Sequence, residues 1–202
     1  YWDSILNDHA TPVPNRLRIM GEVVRGVANK EFQANDTRQI IAETAILAQT
    51  AVQLISANEI ALDQLCDVLH HDYGTFTHST NVSLYSILLA KKLGYSLDDQ
   101  QEIAVGAMLH DLGKLEIDTN ILNKPGKLNL QELKVIQRHP TLAFKRLVDR
   151  EDVTFGQLMM AYQHHERLDG KGYPCGVPGD QIHTYAKICA VVDVYEAITS
   201  ER

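Results

Sequence analysis

Five short segments of this chain carry its candidate metal-binding groups: HST from His78, HDLGK from His110, HP at His139, HHERLDGKGYP from His164 and DVYEA from Asp193. Together they offer seven donors of metal-binding type, His78, His110, Asp111, His139, His164, His165 and Asp193, and no thiolate. Imidazole and carboxylate sets suit iron, manganese, nickel or zinc, and the absence of cysteine disfavours a structural zinc knot. A single structural ion would leave several of these histidines unemployed, whereas two divalent ions sharing Asp111 would use them all. Such a pair lowers the pKa of a water held between its members, supplies hydroxide near neutral pH and neutralises charge developing on a phosphate.

Each segment also has a plainer reading. The His110–Asp111 pair ends the apolar run IAVGAMLHD, and at a helix end such a dipeptide alone serves capping and dipole compensation. Lys114, however, follows His110 by one helical turn, so its ammonium can share that face. Asp193 follows the apolar run ICAVV, where a carboxylate left without a partner would cost on the order of several kcal/mol. His164 and His165 are neighbours, and consecutive helical residues point about 100° apart. They can converge on one ion only if the helix ends there, which Asp169–Gly170 just downstream permits. His70–His71, before Asp72, lacks that context and reads as surface or capping; His9 and His183 carry no role.

The elements that must position these groups are helical. Apolar residues recur at helix spacing over Leu17–Phe32, Ile40–Ile55 after the N-cap candidates Asn35 and Asp36, Ile60–Leu69, and Val82–Leu93 closed by Gly94. Ser96 with Asp99 forms a capping box before a helix running on through Ile103–Leu112. Asn123–Asn129 is a loop with a Pro–Gly turn, and Asn129 with Glu132 starts a helix reaching toward Leu147. Val153–His165 is a further helix, Pro174–Gly179 a turn-rich loop, and Ile188–Ile198 the last helix. No stretch alternates with period two, so the fold class is all-α. A boundary falls near Asn58, dividing an N-terminal helical segment, 1–58, of regulatory or linking character from a chemistry-bearing domain, 59–202.

Bulk properties narrow the classes. The formal net charge of −7 argues against a nucleic-acid polymer as partner. No apolar run approaches the ~18–20 residues of a membrane span. Cys66, Cys175 and Cys189 form no paired motif and fit reduced thiols in a cytoplasmic setting. The chain starts at Tyr1 and stops at Arg202 within a helical stretch, which reads as a piece of a longer protein.

HDLGK, the following LNKPGKL, HHERLDGKGYP and DVYEAITSER together resemble the HD-GYP family, a branch of the HD-type metal-dependent phosphohydrolases, over roughly Asp72 to Arg202. The resemblance implies a bacterial helical-bundle phosphodiesterase that opens cyclic di-GMP or 3′,3′-cyclic GMP–AMP, commonly fused to an upstream sensory or receiver domain. It assigns His78, His110, Asp111 and Asp193 to one ion, and His139, His164 and His165 to a second that Asp111 bridges. Lys114 would meet the scissile phosphate or aid its leaving group, with Asp111 as the other catalytic residue. Arg202 and Tyr173 would bind substrate. Gly172, Tyr173 and Pro174 form the GYP loop, also implicated in docking partner proteins, and a homodimer is compatible with the pattern. Iron or manganese heads the metals expected, with nickel or zinc next.

Three positions depart from the family pattern. Gly74 stands where three-metal members carry a glutamate, hence the expectation of two ions; Ala143 replaces the glycine of HPxxG; Glu196 replaces an aspartate. A catalytically weak sensor or docking module that keeps its metal site is the alternative. A generic HD hydrolase of mononucleotides is weaker, since it would not need His139, His164 and His165.

Overall fold

The computed structural model describes residues 10–13, 15, 16, 18, 19, 21–23, 26, 35–58, 60, 62–69 and 75–200. Among them every regular element is a helix and none is a strand, as the apolar spacing predicts. In chain order these are α1 (Thr37–Ser56), α2 (Leu62–Val68), α3 (Thr75–Lys92), α4 (Leu97–Leu109), a 3-10 helix (Leu112–Glu116), α5 (Thr119–Leu122), α6 (Leu130–Ile136), α7 (His139–Leu147), α8 (Phe155–Gln163) and α9 (Thr184–Thr199). His9, His70, His71, Gly74 and Arg202 lie outside the described residues, as does most of the helix expected over Leu17–Phe32.

Local chemistry starts and stops most of these helices. Asp36 caps α1 by accepting from the Arg38 and Gln39 N–H groups at 2.9 and 3.3 Å. Ser96 and Asp99 make the reciprocal capping box expected for α4, and Asn129 and Glu132 make another for α6. The α3–α4 turn uses Gly94 at φ 82°, a left-handed conformation open to glycine.

The single helix expected from Leu130 toward Leu147 is instead two, α6 and α7, broken at Gln137–Arg138. Pro140 explains the break: it has no N–H to donate, and its ring would crowd the Ile136 carbonyl four residues back. The last helix starts at Thr184 rather than Ile188, with His183 as its N-cap, accepting from the Tyr185 N–H at 3.2 Å.

The core is a layered helical bundle. The α3–α4 pair packs closely, α1 packs on both, α8 packs on α4, α9 packs on α3, and α8 and α9 pack on each other. Ile55, Ile87, Ile103, Leu109 and Leu147 are buried in one cluster; burying each such side chain stabilises the fold by roughly 1.5–3 kcal/mol. Helix α1, on the N-terminal side of residue 58, contributes Ile40, Leu47 and Leu54 to the same cluster. Arg146 of α7 ties this side down further, its Nη2 donating to the Asn35 carbonyl at 3.0 Å and its Nε to the Thr37 hydroxyl. The three cysteines are unpaired. No described helix is long and apolar enough to cross a membrane.

Candidate metal centre

The seven donors come from five places along the chain and meet at one end of the bundle. Helix α3 carries His78; His110 and Asp111 follow the last turn of α4; His139 opens α7; His164 and His165 follow the last turn of α8; Asp193 sits within α9. The two adjacent histidines converge because the helix stops beneath them: His164 is the C-cap of α8. Their ring centroids are 4.1 Å apart.

Close packing of the 3-10 helix on α7 brings Asp111 against His139. A Cβ on Gly113 would overlap the His139 carbonyl oxygen and approach the Ala143 nitrogen to 2.7 Å, so only glycine permits this approach. Ala143 itself is fully buried in that contact, filling the position where the HPxxG pattern has glycine.

Two donor groups result. His139, His164 and His165 each place a nitrogen within 4.8 Å of the others, and His78, His110 and Asp111 form a second group on the same criterion. Asp193 joins the second group through Oδ1, 3.0 Å from His78 Nε2. Asp111 lies between them: Oδ2 is 3.3 Å from His110 Nε2 and 3.7 Å from His78 Nε2, while Oδ1 is 3.3 Å from His139 Nε2. Lys114 closes the arrangement with its ammonium 2.5 Å from Asp111 Oδ2. The helical turn expected to join Lys114 to His110 ends at Leu109; Lys114 lies on the 3-10 helix and pairs with Asp111 three residues back.

Hydrogen bonds settle which nitrogen of each ring faces inward. His110 Nδ1–H donates to the Ala107 carbonyl at 2.5 Å, His139 Nδ1–H to Ile136 at 2.8 Å, and His164 Nδ1–H to Met160 at 3.1 Å. His78 Nδ1–H donates instead to a carboxylate, Glu196 Oε2, at 2.6 Å. In all four rings Nε2 is left to the centre, the arrangement in which an imidazole presents its lone pair to a metal.

Burial and neighbouring charge then set the protonation states. Burial and adjacent cations hold the rings of His139 and His165 down to about 4, and His164 is driven well below its ordinary range by burial and the flanking imidazoles. Burial also disfavours a charged His78, but its hydrogen bonds to Asp193 and Glu196 outweigh that and raise it to about 9. For Asp111, burial is overcome by Lys114 and His110, which keep the carboxyl well below the usual range. Asp193 is likewise lowered against its own burial, chiefly by His78.

The loop after α8 is pinned from below. Glu166, buried, accepts from the N–H groups of Cys175, Gly176 and Val177 at 2.7, 3.1 and 3.2 Å. Gly172 passes so close that a Cβ would overlap the Arg167 nitrogen and the Glu166 Cα. The result lays the Tyr173 ring on His165, centroids 4.7 Å apart and 25° from parallel, at the edge of the donor cluster. Burial and the Asp111 and Asp193 charges push the Tyr173 phenol up, so it stays a neutral donor. Tyr173 is legible in the sequence motif and Glu166 is not, while Glu196 stands out there only as a variation in a motif. The one available signal for Glu196 was its spacing of three from Asp193, which puts both on one helix face.

The donor set fits a cation on a structural ground of its own. His139 Nε2 and His164 Nε2 face each other at 3.1 Å with both Nδ1 atoms carrying the protons, so two bare lone pairs meet. His110 Nε2 and Asp111 Oδ1 are buried without a hydrogen-bond partner. Buried polar atoms of this kind cost about 1–3 kcal/mol each unless satisfied, and a divalent ion satisfies both groups.

Comparison with known proteins follows the same line. A family model described as an HD domain matches residues 42–202. Cyclic di-GMP phosphodiesterase PA4108 of Pseudomonas aeruginosa is 38% identical over 204 residues, covering 96% of this chain and 49% of that protein. The cyclic di-GMP phosphodiesterase response regulator RpfG of Xanthomonas campestris is 37% identical over 74% of this chain and 42% of its own length. A 3′3′-cGAMP-specific phosphodiesterase of Vibrio cholerae is 42% identical over 63% of this chain and 30% of its own length. The chain thus spans half or less of these relatives. Among solved structures, Bd1817, an HDG"Y"P protein of Bdellovibrio bacteriovorus, superposes with a TM-score of 0.82 at 22% identity, over 98% of this chain and 66% of that one, and shows the same fold.

Proposed function

We propose, from the premise that this chain belongs to the HD domain family and to its HD-GYP branch, that it is the hydrolytic part of a cyclic-dinucleotide phosphodiesterase acting on cyclic di-GMP or 3′,3′-cyclic GMP–AMP. The observation that carries the reading is Asp111, whose two carboxylate oxygens face two separate donor groups. On this reading His78, His110, Asp111 and Asp193 hold one divalent ion, and Asp111, His139, His164 and His165 hold a second. Nitrogen and oxygen donors of this kind suit iron or manganese, and also accept nickel or zinc. Bound there, such ions supply Lewis-acid stabilisation of a phosphate and a nucleophilic hydroxide at neutral pH.

The chain's own groups do the rest. Asp111, ionised by Lys114 and His110, orients the donors on both sides. Lys114, with its side chain 23% exposed, presents an ammonium at the open rim. From there it meets a non-bridging phosphate oxygen as charge builds, or gives a proton to the departing ribose 3′-oxygen. Tyr173 offers a neutral hydroxyl and an aromatic face to the nucleotide beside His165. Arg202 is assigned to the phosphates by its place in the motif. Residues 1–58 serve as the regulatory or linking segment through which an upstream sensory or receiver domain acts.

The test is incubation of the manganese- or iron(II)-loaded protein with each cyclic dinucleotide, followed by separation of linear product. Opening of the ring that Asp111→Asn abolishes supports the reading. Tight binding without product after long incubation overturns it in favour of a sensor.

A further inference from the structure

Four histidines in the centre have their Nδ1 protons taken by the protein, but not in the same way. For His110, His139 and His164 the acceptor is a main-chain carbonyl three or four residues back. For His78 it is a side chain 118 residues away, Glu196 on α9, at 2.6 Å. The Glu196 carboxylate is itself held from the other side: Oε1 accepts from Asn81 Nδ2 at 3.0 Å and from Ser200 Oγ at 2.9 Å. Asn81 is on α3 with His78, and Ser200 is the C-cap of α9, so the glutamate, itself buried on α9, is held across the α3–α9 contact and braced from its own helix end.

We propose that Glu196 is a positioning residue for the His78 half of the centre: it keeps the proton on Nδ1, turns Nε2 toward Asp111 and Asp193, and so sets how tightly that half holds its ion. The inference rests on the reading that His78 is a metal donor. The physical argument is the difference between acceptors. A carbonyl takes the Nδ1 proton but adds no net charge, whereas a carboxylate fixes the same tautomer and makes the ring a stronger base toward a cation. Glu196 also does what no carbonyl on α3 does for this ring, since its geometry depends on two helices being in register. The competing role is a staple in which Glu196 joins α9 to α3 through Asn81, braced within α9 by Ser200, and leaves the ion unaffected.

Zinc titration of the metal-free protein, with nitrogen-15 imidazole spectra of the zinc-loaded form, separates the two. Glu196→Ala is expected to weaken one zinc equivalent by about 10–100-fold while the other is unchanged, and to lose the slowly exchanging His78 Nδ1 proton. Glu196→Gln, isosteric and still an acceptor, is expected to keep that proton and weaken the same equivalent several-fold. Asn81→Ala combined with Ser200→Ala removes the staple and is expected to keep the proton and leave both equivalents near wild type. The proposal is overturned if Glu196→Ala or Glu196→Gln binds both equivalents at wild-type affinity, or if the Asn81/Ser200 pair loses as much as Glu196→Ala. Should the unmutated protein show His78 Nε2 free of metal, the donor assignment itself falls, and that is read before any variant is made.

Discussion

The two halves of the donor centre solve one problem in opposite electrostatic ways. His139, His164 and His165 form a group without an acid of its own, held neutral by burial, with two of its tautomers set by carbonyls of the preceding turn. His78, His110 and Asp193 form a half rich in carboxylates, in which His78 keeps a proton up to about 9 and is steered by a residue on a distant helix. The first half is ready for a cation at neutral pH; the second must give up a proton to take one. Asp111 belongs to both, one oxygen to each.

The largest effect is expected where the halves meet. Asp111→Asn removes the shared charge and leaves the Lys114 ammonium and the buried imidazoles facing a neutral amide, so turnover should fall by roughly 10³-fold or more, measured by product separation at saturating manganese. Retained turnover with full metal content would mean that the two groups act independently. Next comes an attack on one half alone. His164→Ala should weaken one ion equivalent by about 100-fold or more and leave the other within about threefold, as read by calorimetry. Loss of both equivalents together would show that the halves are one cooperative site.

A backbone change should affect both halves equally. Gly113→Ala forces a methyl group into the His139 carbonyl, a form of overpacking that costs about 1–3 kcal/mol and should lower Tm by roughly 2–12 °C. An unaltered Tm would show that the 3-10 helix can move away from α7 without cost.

The contrast also predicts two limbs in the pH dependence of the metal-free protein. His78 is raised from 6.5 to about 9, so between those values the folded chain keeps a proton the unfolded chain has released, and stability falls as pH rises. His139 and His165 are lowered from 6.5 to about 4, so between those values the unfolded chain takes up protons the folded chain refuses, and stability falls as pH drops. Urea midpoints in the presence of chelator should therefore peak near pH 6.5. His78→Gln should flatten the alkaline limb and His165→Asn should make the acid one shallower, His139 still contributing; a single monotonic slope would contradict the assignment. The smallest signal is proton release on zinc binding at pH 7.5, on the order of one proton and from the His78 half alone, obtained by titration in buffers of different ionisation enthalpy.

Much of the fold is legible along the chain because its causes are short-range. The Ser96–Asp99 and Asn129–Glu132 capping boxes appear where the residues say they should, since their bonds span three positions. The end of α8 beneath His164–His165 follows from the turn residues just beyond. The break before His139 had its cause in view at Pro140, yet the apolar spacing on both sides reads as one continuous helix. The start of α3 at Thr75, seven residues before the apolar pattern begins, is less legible, because its first two turns are polar apart from Phe76 and carry His78.

The residues alone determine the donor types and the all-helical class, whereas the tautomers of His139 and His164 follow from where α6 and α8 stop and which carbonyls that leaves beside the rings. Tertiary structure alone decides that donors from His78 to Asp193 share one centre, that Gly113 lets Asp111 reach His139, and that Glu196 takes the proton of His78. The physical reason is range: caps and turn bonds close within a few residues, whereas the meeting of helix ends is fixed by the burial of apolar faces on helices far apart in the chain.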